Sequence, residues 1–190
     1  MKKSIYSLFV VVFNAITFGC NSDQPTVEIN NPELLFRSKS LALEYSSTLK
    51  NNLKAAIVSD GVEGAIEFCS LHAVPITDSI SKINTVEFKR VSHKNRNPDN
   101  KANATELQLI DDYITNHSKA PRLFKKGSEN FFYAPIYMDS PLCLNCHGNV
   151  DQHITSPVQE KLNTLYPNDQ ATGFKHGEIR GLLKIIYSKN

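Results

Sequence analysis

The sequence of 190 residues has no tryptophan, only four cysteines, and almost equal numbers of basic and acidic residues. A net charge of +2 without a basic stripe argues against a nucleic acid as the main partner. The basic residues within 89–96 are few and local, and they predict one solvated or cofactor-facing loop. There is also no internal repeat and no second domain boundary, which indicates one compact domain with appendages.

The N-terminus has the charge pattern of an export signal. Lys2 and Lys3 precede an apolar stretch over 5–18, which is shorter than the ~20 residues that a bilayer-spanning helix needs. Gly19 and Cys20 follow it, as in the bacterial lipobox, where the cysteine is lipidated and becomes the first residue of the mature protein. The alternative is an ordinary secretory signal followed by a chance cysteine.

These features divide the chain into three parts. We predict a lipoprotein signal peptide at 1–19, a polar, flexible tether at 20–31 that begins with lipidated Cys20, and a single domain at 32–190. The predicted location is the periplasmic or cell-surface side of a membrane, with the lipid as the anchor.

Hydrophobic periodicity predicts helices first and then a mixture of strands and helices. A long N-terminal helix is expected over 32–59, ended by Gly61, and a second helix over 63–74, with Pro75 ending it or beginning its last turn. Asn103 and Glu106 form a capping-box pattern at the start of a further helix that reaches His117. Strands are predicted at 86–92, 131–138 and 182–187, and a short helix at 158–165. This order predicts an α+β fold with a small antiparallel sheet.

The most specific chemical signal is Cys143-Leu144-Asn145-Cys146-His147, a C-x-x-C-H motif in a segment predicted as a loop. This spacing is the attachment pattern of haem c: two thiols reach two vinyl groups, and the histidine is the proximal iron ligand. A thiol–disulfide pair would need a βαβ context, which the pattern lacks, and zinc would need two more ligands. An export signal agrees with haem c, because this haem is attached outside the cytoplasm.

The residues alone do not determine which side chain is the second axial ligand of the haem iron. Cys69 is the cysteine left over, and it lies on an apolar helical stripe where a thiol usually serves only for packing. His72 lies three residues on and shares that helix face. The other candidates are His93, His117, Met138, His153 and His176.

Four blocks of sequence resemble a known family, the Tll-like c-type haem domains with a PAS-like fold. Such domains occur as free exported proteins and as extracytoplasmic sensor parts of histidine kinases. The resemblance covers about 65–181. It rests on Ala65-Ile66-Glu67-Phe68-Cys69; on Arg90, Ser92, Arg96-Asn97-Pro98, Asn100 and Glu106; on Pro135-Ile136 with the motif and Gly148; and on Tyr166-Pro167, Asp169, Ala171, Gly173-Phe174, Gly177 and Arg180-Gly181.

The resemblance implies that His147 and Cys69 hold the iron, with His72 as the remaining competitor. It also implies a PAS-like sheet with flanking helices behind the long N-terminal helix. Arg90, Arg96 and Arg180 are candidate partners for the haem propionates, the alternative for each being an ion pair with Asp or Glu.

Two functions follow from an iron with two strong protein ligands. We expect a redox or gas-responsive haem sensor, in which a weakened iron–thiolate bond releases Cys69. The alternative is a one-electron carrier. A haem enzyme with peroxide or nitric oxide chemistry is a remote third reading, since no acid/base constellation stands out. The partner is expected to be a redox or signalling protein that the sequence does not identify.

Overall fold

A five-stranded antiparallel sheet organises the computed structural model, which describes residues 26–150 and 152–188. The predicted signal peptide at 1–19 and the predicted lipidation site Cys20 lie outside these residues. Within them, no helix is long and apolar enough to cross a membrane. The strands are β1 Val27–Glu28, β2 Glu87–Val91, β3 Arg122–Lys126, β4 Glu129–Tyr137 and β5 Ile179–Tyr187, in the order β1-β3-β4-β5-β2; the helices are α1 Pro32–Asn84, α2 Ala104–Asn116, α3 Pro141–His147 and α4 Ser156–Leu165.

The α+β prediction is confirmed: every strand pair in this sheet is antiparallel. Side chains alternate between the two faces of the sheet, and each face has its own core. One core joins α1 to Phe88, Phe132 and Ile185, and the other joins α2 to Val91 and Leu182. The capping box at the start of α2 is also confirmed, with Asn103 and Glu106 exchanging 3.0 Å hydrogen bonds.

Helix α1 is a hairpin rather than a straight rod. Gly61, with φ 71° and ψ −175°, is its non-helical residue, as the sequence predicts. The Tyr45 hydroxyl lies 3.1 Å from Thr77 Oγ1, although 32 residues of straight helix would separate them by about 48 Å. The first arm, 32–60, therefore lies against the second arm, 62–84.

The predicted helix end at Pro75 is wrong, because the second arm continues through this proline to Asn84. Proline removes one helical hydrogen bond, at a cost of about 3 kcal/mol. Ile76 and Ile80, just beyond it, pack into the core below α1. Burial of these side chains outweighs the local preference of proline to end a helix.

Strand β4 contains Pro135, for which the sequence leaves two alternatives: an edge position, which the structure corrects, and a bulge, which it supports. Pro135 predicts an edge strand or a bulge, yet β4 lies between β3 and β5. Pairing with β3 ends at Tyr133, so at Pro135 the strand has only the neighbour β5 and the missing N–H interrupts no second ladder. A register shift between Ile136 and Tyr137 follows directly. At Pro135, the central strand β4 therefore has a neighbour on one side only, as an edge strand does.

The first and third strands are absent from the sequence-based prediction. Both β1 and β3 are short, and β1 falls within the segment 20–31 that composition predicts as a flexible tether. Val27 pairs with Lys125, and Arg122 binds Glu28 with both guanidinium Nε and Nη2. Strand β1 thus forms because it pairs with β3 and because Arg122 binds Glu28, and hydrophobic periodicity reveals neither interaction.

Candidate functional site

The C-x-x-C-H motif forms helix α3 rather than the predicted loop. Ser140 caps it by accepting a 3.3 Å hydrogen bond from Leu142 N, and Pro141 occupies the first helical turn, where its missing N–H costs nothing. Cys143 and Cys146, three residues apart on a helix, lie on neighbouring positions of one face. Both thiols are partly buried, and none of the three described cysteines is in a disulfide.

Contacts from distant segments satisfy the last carbonyls of this helix. Helix C-termini leave such groups without intrahelical partners. The carbonyl of Cys146 accepts a 2.5 Å hydrogen bond from Arg96 Nη2, that of His147 accepts one of 2.9 Å from Phe174 N, and that of Gly148 accepts one of 2.8 Å from Gly173 N. The end of the motif is therefore fixed in position by the rest of the chain.

Close packing explains why glycine follows the motif. A Cβ at Gly148 would lie 2.6 Å from Leu144 O and 2.7 Å from His153 Cβ. Any larger residue would push the end of α3 away from these neighbours. Gly148 thus belongs to the geometry of the site.

The His147 ring is positioned by a backbone carbonyl. Its Nδ1 lies 2.8 Å from Ala171 O. Because a carbonyl oxygen only accepts, Nδ1 carries the proton, and in the neutral ring the lone pair of Nε2 is available to coordinate a metal ion. Burial lowers the pKa of His147 well below its usual value, and Arg96 and Arg180 lower it further. A neutral imidazole with a free Nε2 is the form that binds metal ions.

The three thiols share one electrostatic environment. Burial raises the pKa of Cys146 to about 11, with Arg96 opposing the shift and the thiols of Cys69 and Cys143 adding to it. Burial also raises the pKa of Cys69, opposed by Arg90 and Arg96. Thiol–disulfide enzymes require a lowered pKa at the attacking thiol, so this environment does not suit that chemistry.

His72 is placed differently from Cys69 although both lie on the second arm of α1. The His72 side chain is exposed, and its ring lies 4.7 Å from the Phe68 ring. Cys69 is partly buried and close enough to Cys146 to affect the pKa of that thiol. Cys69 therefore shares the electrostatic environment of Cys146, whereas His72 faces solvent.

The remaining axial candidates have other surroundings. Met138 is 2% exposed and packs in a small core with Ala171 and Phe174. His93 meets the Phe174 ring edge-on at 6.0 Å, and its Nδ1 is buried without a hydrogen-bond partner. His153 accepts a 3.1 Å hydrogen bond from Asn149 N, His117 is the C-cap of α2, and His176 is exposed.

The three arginines flagged by the sequence differ in their partners. Arg96 is 3.0 Å from Asp169, in an ion pair whose side chains are 13% and 9% exposed. Arg180 donates to Ser92 Oγ at 2.7 Å and to Lys94 O at 2.8 Å, while its buried Nε has no partner. Burial lowers the pKa of Arg180 to about 10. No side-chain hydrogen bond or ion pair joins Arg90 to another of the residues described.

This donor set fits a covalently attached haem better than a zinc ion. Among residues 26–150 and 152–188, no three His, Cys, Asp or Glu side chains are grouped so as to hold a metal ion. The motif instead offers two thiols for attachment and one imidazole nitrogen for iron. The unpaired Arg90 and the buried Arg180 Nε suit an anionic group beside them.

Comparison with known proteins agrees with the resemblance seen in the sequence. The sequence profile of the Tll0287-like family matches residues 24–188. The chain belongs to the Tll0287-like family. Its fold matches the crystal structure of the cyanobacterial heme-protein Tll0287 with a TM-score of 0.60 at 21% identity, over 85% of this chain and 98% of that one. No curated protein matches the chain.

The sequence alone did not indicate the part that Asp169 and Ala171 take in this Tll0287-like site. Asp169 accepts from Arg96 and from Ala171 N, and Ala171 O in turn meets the His147 ring. Ala171 contributes backbone atoms only, which no side-chain motif could reveal. For Asp169 the one available signal was its place in the fourth block of the resemblance.

Proposed function

We propose that this chain is an exported, lipid-anchored protein that carries one haem c and acts as a redox or gas-responsive sensor. Cys143 and Cys146 attach the haem, and His147 and Cys69 are the axial ligands. The observation that carries the proposal is the His147 ring, whose Nδ1 is engaged by Ala171 O and whose Nε2 is free. The structural neighbour being a heme-protein supports it.

Attachment at the motif requires no oxidant. Cys143 and Cys146 would each hold the haem through a thioether, whose sulfur–carbon bond forms at one vinyl carbon while the thiol hydrogen passes to the other. When bound, the haem supplies a one-electron ferric/ferrous couple. Burial raises the pKa of the Cys69 thiol, and coordination to iron would hold it as a thiolate.

Arg90 and Arg180 are the better partners for the haem propionates. The Arg90 side chain has no hydrogen bond or ion pair among the described residues, and the buried Arg180 Nε lacks a partner. Arg96, which the sequence also suggests for this role, already binds Asp169 and Cys146 O. We therefore assign Arg96 to the protein scaffold and not to the propionates.

The segment of α1 that carries Cys69 supports the sensor role. Residues 62–74 lie between the non-helical Gly61 and Pro75, where one helical hydrogen bond is missing. Reduction of a bound haem by a one-electron donor protein would weaken the iron–thiolate bond, and release of Cys69 would leave this segment free to shift between the two breaks. Ile66 and Glu67 pass the shift to α4, through the core around Leu162 and the ion pair with Lys161.

The alternative is a one-electron carrier, and one observation favours it. Ile66 is 3% exposed and packs against Val158 and Leu162 of α4, so the segment around Cys69 is well anchored. A ligand held this firmly would stay in place in both oxidation states and allow transfer with little rearrangement.

Haem staining after denaturing electrophoresis tests the attachment. Wild-type protein made with haem c maturation should give a stained band, and Cys143→Ser/Cys146→Ser should give none. Cys69→Ser is the matched control: it should keep the band and lose the low-spin ferric spectrum. A wild-type protein without a stained band contradicts the proposal, and an unchanged spectrum in Cys69→Ser contradicts the thiolate ligand.

The two functions differ in what reduction does to residues 62–74. A sensor predicts carbon monoxide binding to the ferrous protein and faster amide hydrogen exchange in this segment than in the ferric form. A carrier predicts no carbon monoxide binding and equal exchange. Mass analysis of the mature N-terminus tests export and lipidation, with an unmodified residue 1 as the contradicting result.

A further inference from the structure

The segment 169–174, called here the bracket, makes three hydrogen bonds to the end of the motif. Ala171 O meets the His147 ring, Gly173 N donates to Gly148 O, and Phe174 N donates to His147 O. Ala171 is fully buried. The bracket therefore holds both the backbone and the ring of the same histidine.

Asp169 fixes the bracket at the residue that contacts the ring. Its Oδ1 accepts a 2.8 Å hydrogen bond from Ala171 N, and its Oδ2 accepts one of 3.0 Å from Arg96 Nε. Ala171 is thus held on both sides, through its N–H by Asp169 and through its carbonyl by His147. A displacement of the carboxylate would move the carbonyl that orients the ring.

Arg96 joins the carboxylate to the motif itself. Its Nη2 donates to Cys146 O while its Nε donates to Asp169, so one guanidinium spans the helix end and the bracket. Its guanidinium also lies 5.8 Å from the centre of the Tyr166 ring. A buried ion pair alone adds little to stability, because desolvation offsets the attraction. Its effect here lies in the geometry it imposes.

We propose that Asp169, held by Arg96, is a positioning residue for His147: it fixes the Ala171 carbonyl, and through it the tautomer and the plane of the imidazole. This inference rests on the proposed function, since its consequence is seen at the iron. Hydrogen bonding at Nδ1 raises the basicity of a metal-bound histidine, and loss of such partners typically weakens metal binding 10–100-fold.

The test compares Asp169→Ala with Glu106→Ala in the haem-loaded full-length protein. Glu106 is the matched control, because it forms a 3.0 Å ion pair with Lys184 that is buried to a similar degree, with side chains 4% and 13% exposed. Both substitutions should lower the melting temperature. Only Asp169→Ala should act on the iron.

Ferric electron paramagnetic resonance and the midpoint potential provide the readouts. Wild type and Glu106→Ala should show one low-spin species with the same potential. Asp169→Ala should keep covalent haem, show a broadened or second low-spin species, and lose about tenfold of its preference for ferric over ferrous iron. Asp169→Asn, which keeps an oxygen for Ala171 N, should lie between the two.

The outcomes separate this inference from the proposed function. A wild type without covalent haem contradicts the proposed function, and the inference fails with it. Haem-loaded Asp169→Ala with the wild-type resonance and potential overturns the inference alone. If Asp169→Ala does not fold, Asp169→Asn decides: an unchanged potential overturns the positioning role, and a raised potential with covalent haem supports it.

Discussion

Two buried ion pairs, one beside α2 and one beside the motif, are almost equally shielded from solvent but connect different things. Lys184 and Glu106 join strand β5 to the first turn of α2, where Glu106 also closes the capping box. Arg96 and Asp169 join the helix end of the motif to the bracket that orients His147. The burial of an ion pair thus does not by itself indicate a function. The two pairs differ in which further groups their carboxylate oxygens contact.

The largest effect is expected from breaking the pair beside α2. Glu106→Ala leaves Lys184 buried without its carboxylate and removes the capping box, so the free energy of unfolding should fall by about 3–5 kcal/mol. Urea unfolding measures this. If the two regions are independent, the losses in Glu106→Ala and Asp169→Ala should add within about 0.5 kcal/mol in the double variant. A larger deviation would show that the two pairs are coupled.

A somewhat smaller effect is expected at Gly181 in β5, beside the end of β2. A Cβ there would lie 2.3 Å from Val91 O, and φ is +154°. Gly181→Ala should therefore cost about 2–4 kcal/mol in thermal or urea unfolding. Gly177→Ala is the control: its φ of +84° is equally unusual, but no atom lies within 4 Å, so about 1 kcal/mol is expected. Equal losses would refute the steric explanation.

The hairpin of α1 allows a test of about 1 kcal/mol. Tyr45→Phe removes the hydrogen bond to Thr77 and keeps the ring that stacks on Phe88 at 4.8 Å. The expected loss of unfolding free energy is about 1 kcal/mol, with no change in haem content or spectrum. Tyr45→Ala, which also removes the stack, should cost about 3–5 kcal/mol. A Tyr45→Phe loss as large as that of Tyr45→Ala would contradict this division.

The smallest effect is a dependence on pH at β1. The hydrogen bond from Arg122 lowers the pKa of Glu28 below its usual value of 4.5, so the folded state favours the ionised carboxylate. This stabilisation is complete above the pKa that Glu28 has in the unfolded chain, and it is lost as the pH falls through the lower pKa that Glu28 has in the folded protein. Because Glu28 is 48% exposed, the effect should be below about 1 kcal/mol. Comparing unfolding of wild type and Glu28→Gln between pH 7 and pH 3 measures it, and an equal decline in both would contradict the assignment.

Much of the fold could be predicted because its signals are local. Gly61, the Asn103–Glu106 capping box, and the periodicity of α1, α4 and β5 each depend on neighbours within a few residues. The predictions that failed at Pro75 and at β1 and β3 involve distant partners. Pro75 stays inside a helix because Ile76 and Ile80 reach the core, and β1 and β3 form because they pair with each other and with β4.

The sequence by itself determined which atoms are available at the site: two thiols and an imidazole at fixed spacing, and one further thiol on a helix. These follow from residue identity and separation along the chain. Only the tertiary structure decided how they are held, because Ala171 and Cys69 lie 24 and 78 residues from His147 along the chain. The sequence left Arg96 open between a propionate and an Asp or Glu partner. In the folded chain it lies 3.0 Å from Asp169, since a guanidinium buried in this position needs a carboxylate within hydrogen-bond distance.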